Sequence, residues 1–500
     1  SLQVQKMNPT ISELDVVQAY GNWLPNLSGQ FRFQSLEQPV ATVLQSGAEN
    51  FQQDQLLGNV FIDQFLPTGG QYSVGYQATR NESNNVFATL NPSTQGNLTF
   101  SFAQPLLQNR SIDSTRQQIL VSKNNLAIND MQFRNTVVST VRSVKNAYWD
   151  LVVAQSALAV QMQTLDLARQ TLGDNRKRVE VGTMAPIDIV QAEAEVASNE
   201  ENVIIAEQTV AQAQDQLRAL ILDPRTPEFW TTTFEPADPP SLATSPVDVD
   251  AAVARALEGS LDLQQARKQL ENNDVRTRFY SNQTLPNLTA NVDYGLAGLG
   301  GTVINRDGSG LNPGDVTSTS HIPYSEVVKD VFGFAYPTWS VSLNVSYPIG
   351  RNANRVNLER QRLVNEQNLL QLRDLERQVV QQVRDLARQV NTNLKRVATT
   401  QAARSLAERR LEAEQKKFGV GLSTTFNVLQ AQRDLAEARN NEQRAILDFE
   451  KSRVDFEAAQ EASISGAGSG SLTLGGATGQ GTGSAGTTTS VTPGSGTNRR

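Results

Sequence analysis

The sequence predicts a mixed α/β membrane protein in which long helical hairpins continue into amphipathic strands, with an internal two-fold repeat. Three observations support this fold class. A glycine turn followed by a heptad-patterned helix occurs twice, about 239 residues apart. Two proline-free stretches are long enough for unusually long helices. Short segments beside them alternate strictly between apolar and polar residues, which is typical of strands with two different faces.

The repeat is clearest at the Val-Gly-Thr turn of residues 181–183, which returns as Val-Gly-Leu at residues 420–422. Glycine in these turns predicts a left-handed helix cap, and Pro186 suits the first turn of the following helix. Behind each turn, apolar residues recur at heptad spacing beside small ones, which predicts close, left-handed helix packing. These residues are Ile189, Val196, Val203, Val210 and Leu217 in the first copy and Val428, Leu435, Phe449 and Phe456 in the second.

The helical stretches form two predicted hairpins, over residues 106–222 and 349–462. Their first helices, from about 113–181 and 352–418, would each be roughly 100 Å long at about 1.5 Å per residue. Rods of this length do not fit inside a compact domain, so we expect them to lie side by side in a bundle or coiled coil. A further helix over residues 247–284 is predicted to stack end to end on the shorter helix of the first hairpin.

The remaining segments are shorter or irregular. Residues 1–23 are predicted to contain a helix from about Ile11. The offset between the two halves of the chain indicates that this helix is truncated, or genuinely shortened, relative to the helix over residues 247–284. Residues 223–246, rich in proline and threonine, are predicted to be an irregular equatorial linker. Residues 463–500 are almost entirely Gly, Ser, Thr and Ala, and such a composition predicts a disordered tail.

Two strand hairpins are predicted, over residues 24–105 and 285–348. Both open with Leu-Pro-Asn-Leu and continue with alternating apolar and polar residues. In the first hairpin, the polar segment from about residue 38 to 95 is predicted to be a long external loop. This interpretation gives four strands per chain. A membrane barrel needs at least eight strands, so closure would require several chains.

Composition excludes several classes of protein. No run of eighteen apolar residues occurs, so any membrane span would be made of strands. The net charge of -7, without a basic stripe, argues against nucleic acid as a partner. The absence of cysteine excludes disulfides and thiolate metal sites, and His321 is the only histidine. No cofactor motif or nucleophile–base arrangement is present, so we expect neither a cofactor, nor a metal, nor enzymatic activity.

Together these features resemble the TolC-like outer-membrane efflux channels over about residues 11–463. The resemblance rests on the doubled Val-Gly turn with its helix, the doubled Leu-Pro-Asn-Leu, and the strand-to-helix junctions with Pro105 and Pro348. It implies a homotrimer in which four strands per chain form one twelve-stranded β-barrel in the lipid of the cell outer membrane, continuous with a helical barrel in the periplasm. It further implies a passive exit duct of a tripartite efflux or type I secretion system, joined by a periplasmic adaptor (membrane fusion protein) to an inner-membrane pump.

The resemblance also implies functions for the hairpin tips. Asn427 and Gln430 would line the periplasmic aperture, at positions that are often acidic in the family, and Asp188 is the equivalent of Asn427 in the first copy. Asp188 also has a simpler interpretation, because a carboxylate in the first turn of a helix is stabilised by roughly 0.3–1 kcal/mol. The adaptor would dock on the turns, formed by Val181, Gly182, Thr183, Val420, Gly421, Leu422 and Ser423.

The main alternative is a periplasmic coiled-coil scaffold or adaptor that forms no channel. Considered alone, the strands would fit a soluble sandwich as well as a barrel. The nearly direct junctions between strands and long helices favour a barrel wall that continues into a helical wall. Four alternating strands that end in proline therefore argue against the scaffold.

Overall fold

The computed structural model describes residues 2–40, 50–237, 246–308, 314–350 and 352–462. Most of this part of the chain forms two long helical hairpins and one antiparallel sheet. None of its helices is both long and apolar enough to cross a membrane. The predicted tail, residues 463–500, lies outside the described residues, and so do residues 238–245 of the predicted linker.

The helices follow the predicted hairpins closely. The first helices of the two hairpins, α2 and α7, have 67 residues each, and the second helices, α3 and α8, have 35 each. In chain order the helices are α1 Leu2–Gly21, α2 Ser114–Glu180, α3 Ile187–Ile221, α4 Val249–Gly259, α5 Leu261–Gln283, α6 Tyr324–Phe332, α7 Ala353–Gly419 and α8 Thr425–Ala459.

Seams of small and apolar side chains hold each hairpin together. In the second hairpin, Val383 and Ala387 of α7 belong to one buried cluster with Ala445 of α8. In the first, Leu151 of α2 packs with Leu217 of α3. Burying such a leucine stabilises the fold by about 1.5–3 kcal/mol, and the alanines allow the helix backbones to approach closely.

Two helices differ from the prediction. The N-terminal helix α1 begins at Leu2 instead of Ile11 and contains Pro9, because it packs along α2 and buries Ala19 there. The predicted helix over residues 247–284 is divided at Ser260 into α4 and α5. Ser260 has an extended ψ of 119°, and the next backbone N–H donates to the carbonyl of Glu461 at 2.9 Å rather than within a helix.

The sheet contains seven strands, all paired antiparallel to their neighbours. They are β1 Asn26–Pro39, β2 Asn50–Phe65, β3 Gln71–Ser83, β4 Leu90–Pro105, β5 Asn287–Arg306, β6 Val316–Ile322 and β7 Pro337–Ser346. Strands β1 to β5 are neighbours in sequence order. β7 and β6 then pair with successive parts of β5, at residues 287–296 and 301–306.

The prediction of four strands with a long loop over residues 38–95 is wrong. β2 and β3 lie within that segment and pair in register with β1 and β4. The segment is rich in Gln, Asn and Ser, and Leu57 and Phe61 interrupt the alternation of apolar and polar residues. The pattern within one strand therefore does not reveal β2 and β3. These strands are specified by pairing with their neighbours, which depends on the whole sheet.

A patch of glycines brings α6 against one face of the sheet. A Cβ atom added at Gly298 would lie 2.3 Å from the carbonyl oxygen of Val327, and one at Gly300 would lie 2.6 Å from its Cγ2. Val327 and Val331 of α6 are completely buried in this contact region. Only residues without a side chain allow the helix to approach the sheet this closely.

The junction between β4 and α2 is fixed by Arg116. Its guanidinium donates to the carbonyls of Asn109 and Arg110 at 2.6 and 2.8 Å. It also pairs at 3.0 Å with Asp113, whose carboxylate caps α2. Asn282, near the end of α5, accepts a hydrogen bond from the N–H of Asn109 at 2.6 Å. The helices and the sheet therefore meet through a connected set of hydrogen bonds.

Candidate functional site at the hairpin tips

Both long helices end with the same hydrogen bonds. In each tip the glycine N–H donates to the carbonyl three residues earlier, and the next N–H donates to the carbonyl five residues earlier, which is the Schellman motif. The pairs are Gly182 to Val179 at 3.0 Å, Thr183 to Arg178 at 2.8 Å, Gly421 to Phe418 at 3.2 Å and Leu422 to Lys417 at 2.8 Å. Gly182 and Gly421 have φ of 75° and 78°, so the predicted left-handed glycine caps are confirmed.

The two shorter helices start differently. The Thr424 side chain caps α8 by accepting a hydrogen bond from the N–H of Asn427 at 3.4 Å. Pro186 directly precedes α3 and already has helical dihedral angles, but no side chain caps this helix. A capping side chain therefore holds the start of α8 but not the start of α3.

The turns leave large apolar side chains in solvent. Val181, Val420 and Leu422 expose between 70 and 79 % of their surface, and Ile187 and Phe426 are also exposed. Each tip thus exposes apolar side chains: Val181 and Ile187 on the first, and Val420, Leu422 and Phe426 on the second. Exposed apolar groups that lie together are typical of surfaces that contact a partner.

Asn427 is exposed on the first turn of α8 and is tied to the turn before it. Its Nδ2 donates to Ser423 Oγ at 3.3 Å, and Ser423 Oγ donates to Glu414 Oε2 at 2.8 Å. Lys417 donates to the other carboxylate oxygen of Glu414 at 2.8 Å. These donors, Lys417 first, hold the pKa of Glu414 below its ordinary value. The turn is therefore tied to the end of α7 by an ionised carboxylate.

Gln430 belongs to a separate set of contacts on the same hairpin. Its Nε2 donates to Asp434 Oδ1 at 2.8 Å. Asp434 Oδ2 in turn accepts from Arg410 of α7 at 2.6 Å. Of the two predicted aperture residues, Asn427 is exposed and Gln430 is half-buried. Each is thus connected to a carboxylate, although neither is acidic itself.

Asp188 is half-buried in the first turn of α3, where the positive end of the helix dipole favours its charge. Its backbone carbonyl accepts a hydrogen bond from Asn175 of α2 at 3.4 Å. In the described part of the chain, no hydrogen bond or ion pair joins Asp188 to Asn427 or Gln430. Asn427 and Gln430 lie three residues apart on α8, but within one copy no direct polar contact joins them to Asp188.

Arginines make two of the contacts that join the tips of the different hairpins. The guanidinium of Arg178 on α2 lies 4.3 Å from the ring centroid of Phe418 on α7 and donates to its carbonyl at 3.3 Å. Farther along, Arg433 of α8 donates to both oxygens of Glu195 on α3, at 3.0 and 3.2 Å. Glu195 is buried, so the opposite charge of this arginine offsets part of the cost of burying a carboxylate.

Sequence reasoning missed these contacts because each joins residues that are far apart in the chain. One signal was available. At the constant spacing of the repeat, Glu195 and Asp434 occupy equivalent positions, and both are acidic. In the structure each pairs with an arginine from another helix, Arg433 and Arg410 respectively. An acidic residue kept at the same place in both copies thus indicated a helix-to-helix ion pair.

Comparison with known proteins assigns the chain to a family. The sequence profile of the outer membrane efflux protein family matches residues 64–221 and 252–459. The chain belongs to this family. It is accordingly an outer-membrane protein of a family of efflux channels, as the resemblance in the sequence implied. Within the described residues, no group of histidine and acidic side chains could hold a metal ion.

Solved structures of outer-membrane channels share this fold. The channel OprN is 13 % identical, with a TM-score of 0.63 over 92 % of this chain and 86 % of that one. VceC from Vibrio cholerae is 15 % identical, with a TM-score of 0.60 over 92 % of both chains. CmeC from Campylobacter jejuni is 12 % identical, with a TM-score of 0.58 over 92 % of this chain and 82 % of that one. No curated protein sequence gave a significant match.

Proposed function

We propose that this protein is the outer-membrane exit duct of a tripartite efflux or type I secretion system and that it works as a homotrimer. The carrying observation is the sheet itself, which ends in two strands, β1 and β7, that alternate between apolar and polar residues and whose residues are all exposed. Unpaired strand edges are unstable in lipid. Pairing these edges between copies would close a barrel with lipid outside and water inside.

The helical hairpins would extend this barrel into the periplasm. Their long helices measure roughly 100 Å at about 1.5 Å per residue. The network around Arg116 joins the sheet to α2 without a flexible linker. A continuous wall of this kind suits a passive duct, through which solutes or proteins move without chemical change, driven by an inner-membrane pump.

The far end of the duct would be gated at the hairpin tips. In the proposed trimer, Asn427, Gln430 and Asp188 line the aperture, and the second hairpin moves outward when an adaptor engages. The contacts of Arg178 with Phe418 and of Arg433 with Glu195 join that hairpin to the first one. A two-state gate opens when such contacts break and the helices move from one packed arrangement to another.

The turns of both tips would be the docking sites of the periplasmic adaptor. Their exposed apolar side chains offer the adaptor a surface, and the glycine caps fix the shape of each turn. The proposed docking residues are those predicted from the sequence: Val181, Gly182, Thr183, Val420, Gly421, Leu422 and Ser423.

The first test is the mass of the detergent-solubilised protein by light scattering, followed by conductance in a planar bilayer. A particle of three chains that conducts supports the duct. A water-soluble monomer or dimer without conductance would contradict it, and a periplasmic scaffold would then account for the helices.

The aperture is tested by replacing Asn427 and Gln430 together with alanine. If they line the narrowest point, we expect single-channel conductance to rise. Gln401→Ala, at an exposed amide away from the tips, is the control and should leave conductance unchanged. An unchanged conductance in the double variant would remove these residues from the aperture.

Docking is tested by comparing Gly421→Val with Gly419→Val. A Cβ atom meets nothing within 4 Å at either position, but only Gly421 has a positive φ. Valine at Gly421 would therefore distort the turn, and we expect the variant to assemble as a trimer but to lose export. Gly419→Val should retain export. Normal export by Gly421→Val would place docking elsewhere.

A further inference from the structure

At the level of Asn26 the sheet is six strands wide, formed by β1, β2, β3, β4, β5 and β7. One row of paired residues crosses all of them: Asn26, Asp63, Ser73, Ser101, Asp293 and Ser340. β6 adds no further position, because it lies along the same edge of β5 as β7, beyond the end of β7. The hairpin of β2 and β3 therefore occupies two full places between β1 and β4.

At the level of Asn26, this hairpin has the same two faces as the strands around it. The row of Asn26 is polar throughout. The next row, one residue along each strand, is apolar or aromatic: Leu27, Ile62, Val74, Phe100, Tyr294 and Trp339. Because successive residues of a strand point to opposite faces, one face of all six strands is polar here and the other apolar. β2 and β3 thus have the pattern of a membrane wall rather than of an external loop.

The directions of the edge strands suit closure by further copies. Five antiparallel pairings lead from β1 to β7, so these two strands run in opposite directions. The β7 strand of one copy would therefore lie antiparallel to β1 of the next, like every other pair in the sheet. The hairpin of β2 and β3 adds two strands, so the number of strands per copy stays even. It therefore widens the wall, and the edge strands of neighbouring copies still pair antiparallel.

We propose that the membrane barrel contains eighteen strands, six from each of three copies, instead of the twelve that the family resemblance implied. The inference rests on the proposed trimeric duct and specifies its width. Barrel diameter grows roughly in proportion to strand number, so this barrel would be about 1.5 times as wide as a twelve-stranded one. The duct would be wide at the outer membrane, and the periplasmic tips would set its narrowest point.

Single cysteines can test whether β2 lies in the wall, because the chain has none of its own. Asn59 is on the polar face and Val60 on the apolar face. In the reconstituted protein, Asn59→Cys should react with a water-soluble thiol reagent at least ten times faster than Val60→Cys. The matched pair Gln30→Cys and Phe31→Cys reports on β1, which belongs to the wall in either case. A rate difference in β1 but not in β2 would overturn the inference.

Cryo-electron microscopy of the full chain in lipid nanodiscs can count the strands directly. A trimer with eighteen strands supports the inference. A trimer with twelve strands, and with β2 and β3 outside the wall, would overturn it while leaving the duct intact. A particle that is not a trimer would instead contradict the proposed function.

Discussion

Arg178 lies over the ring of Phe418, with 4.3 Å between the guanidinium carbon and the ring centroid, and donates to the Phe418 carbonyl at 3.3 Å. The two residues lie in the last turns of the long helices of different hairpins. Phe418 also accepts the Schellman hydrogen bond of Gly421. This one contact therefore links the cap of the second hairpin to the last turn of the first.

Removing this link should loosen the tips. A cation–π contact contributes about 0.5–1 kcal/mol at an exposed site, and Arg178→Ala also removes a hydrogen bond. We expect a higher basal conductance in planar bilayers, with the trimer intact. Arg176→Ala is the matched control, because Arg176 pairs with Glu193 inside the first hairpin. Equal effects of the two variants would mean that the contact with Phe418 does not hold the tips.

The ion pair between Glu195 and Arg433 should show strong coupling. Arg433→Met leaves a buried carboxylate without its cation, which costs about 1–3 kcal/mol. Glu195→Gln added to Arg433→Met should recover much of this loss, because the buried charge is then gone. Thermal unfolding of the two single variants and the double variant measures the coupling. Additive effects would show that the two residues act independently.

Acid should loosen the turn of the second hairpin. The pKa of Glu414 is held below its ordinary value of 4.5 by hydrogen bonds from Lys417 and Ser423. Because the pKa is lowered, the stabilisation of the folded turn by the Glu414 carboxylate is fully present above pH 4.5. It is lost as the pH falls through the lower pKa of the folded state. The mobility of a spin label on Leu422 should therefore rise as the solution is acidified below that value.

Glu414→Gln should make that label mobile already at neutral pH and remove part of its acid response. Glu412→Gln is the control, since Glu412 pairs with Lys416 along the same helix and does not contact the turn. A label whose mobility is independent of pH in the unaltered protein would contradict the prediction.

Packing of α6 on the sheet should depend on Gly298. Gly298→Ala would place a Cβ atom 2.3 Å from the Val327 carbonyl oxygen, so the helix must shift. Overpacking of this kind costs about 1–3 kcal/mol, which thermal unfolding in detergent can measure. Gly29→Ala, whose Cβ would have its nearest neighbour at 3.5 Å, should be nearly neutral. Equal stability of the two variants would mean that α6 is not held at this position.

The repeat predicted the hairpin tips well because their signals are local. A glycine that needs a left-handed backbone determines where a helix ends, and heptad spacing determines which side of the next helix packs. Gly182 and Gly421 therefore end their helices where the sequence placed them. The assignment of Asn427, Gln430 and Asp188 to an aperture stays a prediction, since it concerns contacts between copies.

The sheet was predicted less well because strands depend on partners. Residues 50–83 contain many polar side chains, and Phe61 lies on the same face as Asp63. Only the pairing of β2 with β1 and of β3 with β4 aligns Ile62 and Val74 with Leu27 and Phe100. Alternation within one strand could not provide that alignment.

The sequence by itself determined the two hairpins, their lengths, their glycine caps and the amphipathic strands beside them, because each depends on residues close together in the chain. Only the tertiary structure decided the places of β2 and β3, the division at Ser260 and the contacts of Arg178 and Arg433. These features join residues that are distant in sequence. Their stability comes from a neighbouring element, whose position a local pattern does not specify.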